Sequence, residues 1–584
     1  MSGFFKIFFA TLLSLLVFSL LVFFFLASFI GGLASKNKPD VPANSVLVLD
    51  LGQHYMEQEQ ENPLSFISGK DEKNVPGLYD VVRLLHKAKT DKNISGIYII
   101  ANQSPNGFAA SEEIRNALLD FKQSKKFIIA SGDVITQKAY AVANAADKIY
   151  VSPQGFFEWF GFNVEYVFLK GTLEKLNIEP QIFYAGKFKS ATEPLRTDKM
   201  TAENKLQTTV WLNDIYNDFL ISTSEARKID TATLHSLANE GKIQSAKDAA
   251  QYKLVDGLKY DDEVKDEIKS RIGAGKYDRI SFVSINKYMA AGNFFKTSGE
   301  KIALVYAEGD IVDGKERKGM ISSDYYVSLI RKARLDKTIK AIVFRVNSGG
   351  GSSLASENIW RELALAKKEK PVVVSFGDVA ASGGYYISCA ADSIFAQRTT
   401  ITGSIGVFGI IPNMQEFFKN KLGVTFDGVK TGPFADAGSV YRPLTDNEKK
   451  IIQSEIELTY ATFKQRVADG RKRDTAYIDS IAQGRVWTGQ RAKDIGLIDR
   501  FGGIEVAIQS AAAMAKLTDY RVREYPEPQN IFDQIFGKSN PMSYNNKIKE
   551  EVGEENYKIY QEIKRVKEMS NSVQARLPFE FFIH

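Results

Sequence analysis

Short, largely apolar runs recur along the chain, separated by longer stretches whose apolar positions return with helical spacing. The run "AIVFRV" (341–346) is followed by "SENIWRELALAKKEK" (356–370), which has that spacing, and then by "PVVVSF" (371–376). Apolar runs alternating with amphipathic helices predict βαβ units around a mainly parallel sheet covered on both faces. Segments 203–228 and 447–472 read as two long helices. The fold class is therefore α/β.

The N-terminus breaks this pattern. Between Lys6 and Lys36 lie 29 residues without a charge, including "LLSLLVFSLLVFFFLASFIGG". A helix rises about 1.5 Å per residue, so this run can cross a hydrocarbon core of roughly 30 Å. A cleavable signal peptide is the competing reading, because "LAS" offers small residues, but its apolar stretch spans only about 7–15 residues. The length favours an uncleaved anchor. Lys6 and the α-amine on one side, with Lys36 and Lys38 on the other, leave the orientation open. A second run of this length does not occur, which puts most of the chain on one side of a membrane.

The pattern also repeats at long range. "HKAKTDKNISGIYIIAN" (86–102) matches "RKARLDKTIKAIVFRVN" (331–347), and "KKFIIASGDV" (125–134) matches "KPVVVSFGDV" (370–379), both at an offset of 245 residues. The chain divides into an anchor (1–40), a first copy (41–297), a second copy of the same domain (298–518) and a C-terminal extension (519–584). The extension is expected to be partly helical. "NKIKEEVGEENYKIYQEIKRVKEM" (546–569) places Ile559, Ile563 and Val566 on one side, and would pack on its own domain or on a neighbouring subunit.

Composition narrows the chemistry. The 76 basic and 70 acidic residues nearly balance, at a net charge of +6, so charge points to no nucleic-acid partner. Cys389 is the single cysteine, so an intrachain disulfide cannot form. The histidines, His54, His86, His235 and His584, form neither an HExxH spacing nor a Cys/His cluster. Neither a metal site nor a cofactor is expected.

Within the repeat, "DVAASGGYYISCAAD" (378–392) aligns with "DVITQKAYAVANAAD" (133–147), so Ser382 faces Gln137. Ser382 follows a predicted strand and opens a helix, which exposes its side chain at the sheet end beside free backbone N–H groups. An isolated serine there is ordinarily a helix N-cap. "RVNSGGGSSLASE" (345–357) also joins a strand to a helix. It lacks the lysine of a phosphate loop. The remaining readings are a flexible turn and an oxyanion hole formed by an N–H of Gly350 or Gly351 together with that of Gly383. The first copy has "NQSPNGFAASE" there, with fewer glycines, so the glycine-rich form accompanies the serine. A base is needed, and no histidine lies in a matching loop; Ser–Lys variants of the triad exist. "YAGKFKSATEPL" (184–195) aligns with "KTGPFADAGSVYRPL" (430–444), placing Ala435 opposite Lys189. Most single lysines are merely solvated. Here the lysine is kept in one copy and the serine in the other.

"GDVAASGGYYISCAAD", "TITGSIGVFG", "GRVWTGQRAKDIGLID" and "GKFKSATEP" closely resemble the bacterial signal peptide peptidase A family in its long, tandem form. The resemblance runs from residue 1 to about 518. It implies tandem ClpP/crotonase-like domains behind one transmembrane helix and a membrane-bound serine endopeptidase with a Ser/Lys dyad that degrades remnant signal peptides. It also implies a homotetramer, single-pass in the bacterial inner (cytoplasmic) membrane, with its catalytic part in the periplasm. Carried onto this chain, Ser382 is the nucleophile and Lys189 the general base. Ser404, in "TITGSIGV", is a candidate to orient the amine. The family commonly has Pro where Gly349 stands, which implies a less rigid entry to the oxyanion loop. A lysine with an ordinary pKa of about 10.4 is charged at pH 7. Lysines that act as bases are brought to about 7–8 by burial, so the site is expected at a dry junction of the two copies. A crotonase-like acyl-CoA enzyme would need neither serine nor anchor, and an inactive membrane scaffold would not need complementary halves of one site.

Overall fold

The computed structural model describes residues 2–34, 39–61, 74–292, 296–527, 573–577 and 583. Each copy is built on its own sheet. In the first, the strands run in the order Gly257–Leu258, Lys148–Phe157, Phe127–Ile135, Ile94–Ile100, Ser45–Asp50 and Phe282–Ser284, all paired parallel. Helices Leu78–Thr90 and Phe108–Lys122 pack into the same core as these strands. In the second copy the order is Val486–Thr488, Ile401–Gly403, Val372–Ala381, Ile339–Ser348, Glu300–Glu308 and Tyr520–Tyr525. Only Val486–Thr488 runs antiparallel to its neighbour in that series. The tandem α/β architecture expected from the repeat is what the structure shows.

Tyr520–Tyr525 occupies the edge that Phe282–Ser284 occupies in the first copy. The second copy thus draws its edge strand from beyond residue 518. The helix expected over 546–569 lies outside the described residues. The helix Ser2–Ala34 contains a segment, Gly3–Val22, of mean hydropathy 2.4, long and apolar enough to cross a membrane and unburied by the rest of the protein.

A third sheet belongs to both copies. Its order is Met320–Ser322, Asp310–Val312, Gly350–Ser352, Gln574–Arg576, Val407–Asn413 and Glu179–Ala185. Glu179–Ala185, from the first copy, pairs antiparallel along its whole length with Val407–Asn413 of the second.

The copies are also joined by buried charge. Arg345 is fully buried and donates to Glu57 at 2.8 Å and to Glu113 at 2.7 Å, both from the first copy. Ile100 stands at its place in the first copy. Burial opposes the Arg345 charge, but the two carboxylates outweigh it and hold the guanidinium above its ordinary value. Burial pushes the Glu57 carboxyl up despite Arg345. Two helix ends are capped across the junction. Asp378 accepts the N–H groups of Ala109 and Ala110, and Glu113 accepts that of Ile504. Carboxylates at helix N-termini are favoured by the exposed N–H groups there.

Replacing Arg345 strands two buried carboxylates, which typically costs about 3–5 kcal/mol. Arg345→Leu is expected to lower the unfolding midpoint in urea markedly. A midpoint equal to wild type would show that the junction does not depend on this pair.

Candidate active site

The strand Val372–Ala381 ends at Ser382, whose backbone adopts φ 54 and ψ −115. Positive φ is sparsely populated for any residue but glycine, and such strain persists only where the surroundings enforce it. Here the Ser382 N–H donates to Gly403 O at 2.8 Å and its carbonyl accepts from Tyr386 N at 2.8 Å. Ser382 sits at the N-cap position of helix Gly383–Ser388, yet its side chain makes no cap bond. The equivalent helix in the first copy has an ordinary cap, Thr136, at φ −77, with its hydroxyl accepting from Ala139 N. The cap interpretation therefore describes Thr136 and not Ser382. Gln137, aligned with Ser382, braces its own loop by bonding Gly161 O and the N–H groups of Phe160 and Gly161.

Lys189 arrives from the shared sheet. Ala185 pairs with Val407, so the chain just after Ala185 and the chain just before Val407 meet at one end of the ladder. Those flanking segments carry Lys189 and Ser404. Phe188 N–H donates to Gln483 O at 2.8 Å, tying the lysine loop to the second copy. Gly484, at φ +74, lies against the lysine backbone, and a Cβ there would sit 2.6 Å from Lys189 N. Only glycine permits this approach.

The Lys189 Nζ lies 2.8 Å from Ser382 Oγ, 3.0 Å from Ser404 Oγ and 3.1 Å from Ser404 O. Lys189, Ser382 and Ser404 are all buried. Burial alone pushes the Lys189 amine well below its ordinary value. A neutral amine has two N–H donors and one lone pair. The Ser404 carbonyl can only accept, and the Ser404 hydroxyl takes the second N–H. The lone pair is then left for the Ser382 hydroxyl to donate into. Three partners thus match the capacity of an uncharged amine, and such an amine can accept the serine proton.

The glycine loop closes the site. Gly350, at φ +101, lies so near the start of the serine helix that a Cβ on it would meet Gly383 N at 2.6 Å. Its own N–H donates to Ser348 Oγ at 3.1 Å, and Ser348 Oγ donates to Gly309 O at 2.6 Å. Gly351 lies one residue further along strand Gly350–Ser352 and pairs with Ile311. The structure thus brings Lys189, Ser382 and Ser404 into direct contact and sets Gly350 beside Gly383, with Gly351 behind them. Among the described residues, no cluster of three or more His, Cys, Asp and Glu side chains is placed to hold a metal ion.

Gln207 escaped the sequence reading. Its amide donates to Phe188 O and Ser190 Oγ, both at 3.1 Å, and its oxygen accepts from Val486 N at 3.1 Å. It clamps the lysine loop to the second copy. With helix caps Thr201 and Thr445 aligned, Ile451 holds its place in the second copy. That polar-for-apolar difference between copies was the available signal.

The model of peptidase family S49 matches residues 120–274 and 364–518, once in each copy. Protease 4 of Salmonella typhi is 37% identical over 480 residues, covering 80% of this chain and 77% of that protein. Protease 4 of Haemophilus influenzae is 33% identical over 493 residues, covering 82% and 80%. The chloroplastic serine protease SPPA of Arabidopsis thaliana is 34% identical over 444 residues, covering 74% of this chain and 64% of its own.

A lysine whose folded pKa is depressed costs stability at low pH, where the unfolded chain gains by protonating it. That cost fades as pH rises toward the ordinary lysine value of 10.5. Lys189→Met should therefore gain in melting temperature relative to wild type more at pH 6 than at pH 10. A gap independent of pH would show that Lys189 is charged in the folded protein.

Proposed function

Because this chain belongs to peptidase family S49 and is a serine peptidase, we propose that its activity is carried by Ser382 as nucleophile and Lys189 as general base. The observation that carries this reading is the 2.8 Å contact between a lysine of one copy and a serine of the other, both buried. Lys189, neutral, takes the Ser382 proton as the hydroxyl attacks a peptide carbonyl. Ser404 holds the amine in line through its carbonyl and hydroxyl. The oxyanion is met by the Gly383 N–H with a second from Gly350 or Gly351; losing one such donor typically costs about 100–1000-fold in rate. The protonated amine gives its proton to the leaving nitrogen. Water then attacks the acyl-enzyme, again with Lys189 as base.

The substrates we propose are remnant signal peptides and other hydrophobic peptides. The apolar helix supports this, because an anchored peptidase works where such peptides are left. The expected setting is the bacterial inner membrane, crossed once, with the catalytic part in the periplasm.

The homotetramer has support from an incomplete symmetry. Glu179–Ala185 pairs with Val407–Asn413 inside the chain. Their counterparts by the repeat, 425–431 and 162–168, belong to no strand of the described residues. Val429 is fully exposed, and Val164 to Phe168 alternate in burial as a half-covered strand would. One chain's 425–431 can pair with 162–168 of the next, a head-to-tail contact that closes into a ring.

Ser382→Ala and Lys189→Ala are each expected to lose about ten-thousand-fold or more in kcat on a signal-peptide substrate, with circular dichroism unchanged. Near-normal turnover of Lys189→Ala would sink the dyad. In wild type, kcat/KM should rise with pH through an acid limb set by Lys189, well below the ordinary lysine value, because only the neutral amine accepts the proton. Val429→Glu should reduce the mass measured by light scattering to that of smaller species; an unchanged mass would exclude the proposed contact.

A further inference from the structure

The strand Gln574–Arg576 lies inside the catalytic groove. It pairs antiparallel with Gly350–Ser352 on one side, matching Gly350 to Arg576 and Gly351 to Ala575. On the other side Gln574 pairs antiparallel with Phe408. Backbone bonds extend the docking at both ends. Leu577 N–H donates to Gly349 O at 2.7 Å, and Val573 O accepts from Ser353 N at 3.1 Å. Arg576 is ion-paired with Asp310. Leu577 fills an apolar pocket made by both copies, with Val164, Trp211 and Ile215 from the first and Ala381, Ile401 and Val486 from the second. Residues 574 to 577 are all buried.

The position of one carbonyl gives this docking its meaning. A Cβ built on Gly383 would lie 2.9 Å from Ala575 O, and Ala575 O is also the nearest atom to a Cβ on Gly350. The Ala575 carbonyl thus points at the glycine pair assigned to the oxyanion, where the carbonyl under attack has to sit. An extended peptide held by backbone pairing on both sides is how a sheet edge takes up a peptide ligand.

We propose that Val573–Leu577 is a tethered peptide ligand of the chain's own catalytic groove, lying across it with the Ala575 carbonyl at the Gly350–Gly383 pair, so that incoming peptides must displace it. This rests on the acyl-transfer reading of the same site. Because the ligand is attached, its local concentration is set by the chain and not by dilution. The enzyme is held back until the tail withdraws, and the affinity seen by an outside peptide is lowered by the fraction of time the groove is free. The tail also models the ligand chemistry the groove accepts: a small residue at the carbonyl, and an apolar one two positions later.

The test uses the full chain in two variants. Leu577→Asp puts a charge into the apolar pocket and expels the tail. It should raise kcat/KM on a short fluorogenic peptide, and the rate of Ser382 labelling by a fluorophosphonate, by about tenfold, the factor for a groove occupied nine-tenths of the time. Gly349→Cys with Leu577→Cys supplies the converse. Leu577 Cβ lies 3.6 Å from a Cβ built on Gly349, inside the about 3.5–4.5 Å range of a disulfide. The oxidised pair should lose turnover and labelling, and reduction should restore both. Wild-type rates in Leu577→Asp, or equal rates in the oxidised and reduced pair, overturn the tethered ligand while leaving the peptidase reading intact. Absence of both turnover and labelling in wild type and every variant overturns the catalytic reading, and this proposal with it.

Discussion

A primary amine can serve as a base only while it is uncharged, and an amine in water near neutral pH is charged. The rest of the site depends on keeping water and carboxylates away from Lys189. Neither copy can do this alone. The first supplies the lysine on the loop after Glu179–Ala185, and the second supplies the walls: Gly484 against its backbone and Ser404 against its nitrogen. The antiparallel register of Ala185 with Val407 aligns these parts. A slip of one residue would turn alternate side chains to the opposite face and separate the amine from both serines.

The cost of dehydrating the site is spread over the junction. Arg345 with Glu57 and Glu113, Asp378 at the helix Phe108–Lys122, and Gln207 across the lysine loop all tie one copy to the other. Such buried polar groups are expensive unless every partner is present. They therefore specify a single relative placement of the copies, and a single placement is what a 2.8 Å contact between residues 193 positions apart requires.

Much of this was legible in the sequence, for a definite reason. The repeat allowed each position to be read against its counterpart, so Ser382 against Gln137 and Lys189 against Ala435 stood out where either alone would not. The continuous apolar runs, "AIVFRV" and "PVVVSF" among them, marked the strands because a sheet covered on both faces buries both sides of each run. The rest was hidden by distance along the chain. Arg345 read as one polar position in an apolar strand, because its partners lie 232 and 288 residues away. The edge strand Tyr520–Tyr525 fell outside the recognised repeat because an edge position constrains its residues weakly. Strand Gln574–Arg576 is short and polar, and its pairing comes from the backbone, which no side-chain pattern reports.

The Arg345 junction also carries information about time. The chain is made from its N-terminus, and domains tend to fold as they emerge. Glu57, Glu113 and every strand of the first sheet precede residue 292, before any strand of the second sheet exists. The first copy must hold two carboxylates whose cation has not been synthesised, and with Gly107 as N-cap its helix Phe108–Lys122 has no side-chain cap of its own. The second copy then grows against a surface that already carries its counter-charges. A duplication that looks symmetrical in space is ordered in synthesis, with the older half acting as the mould for the younger.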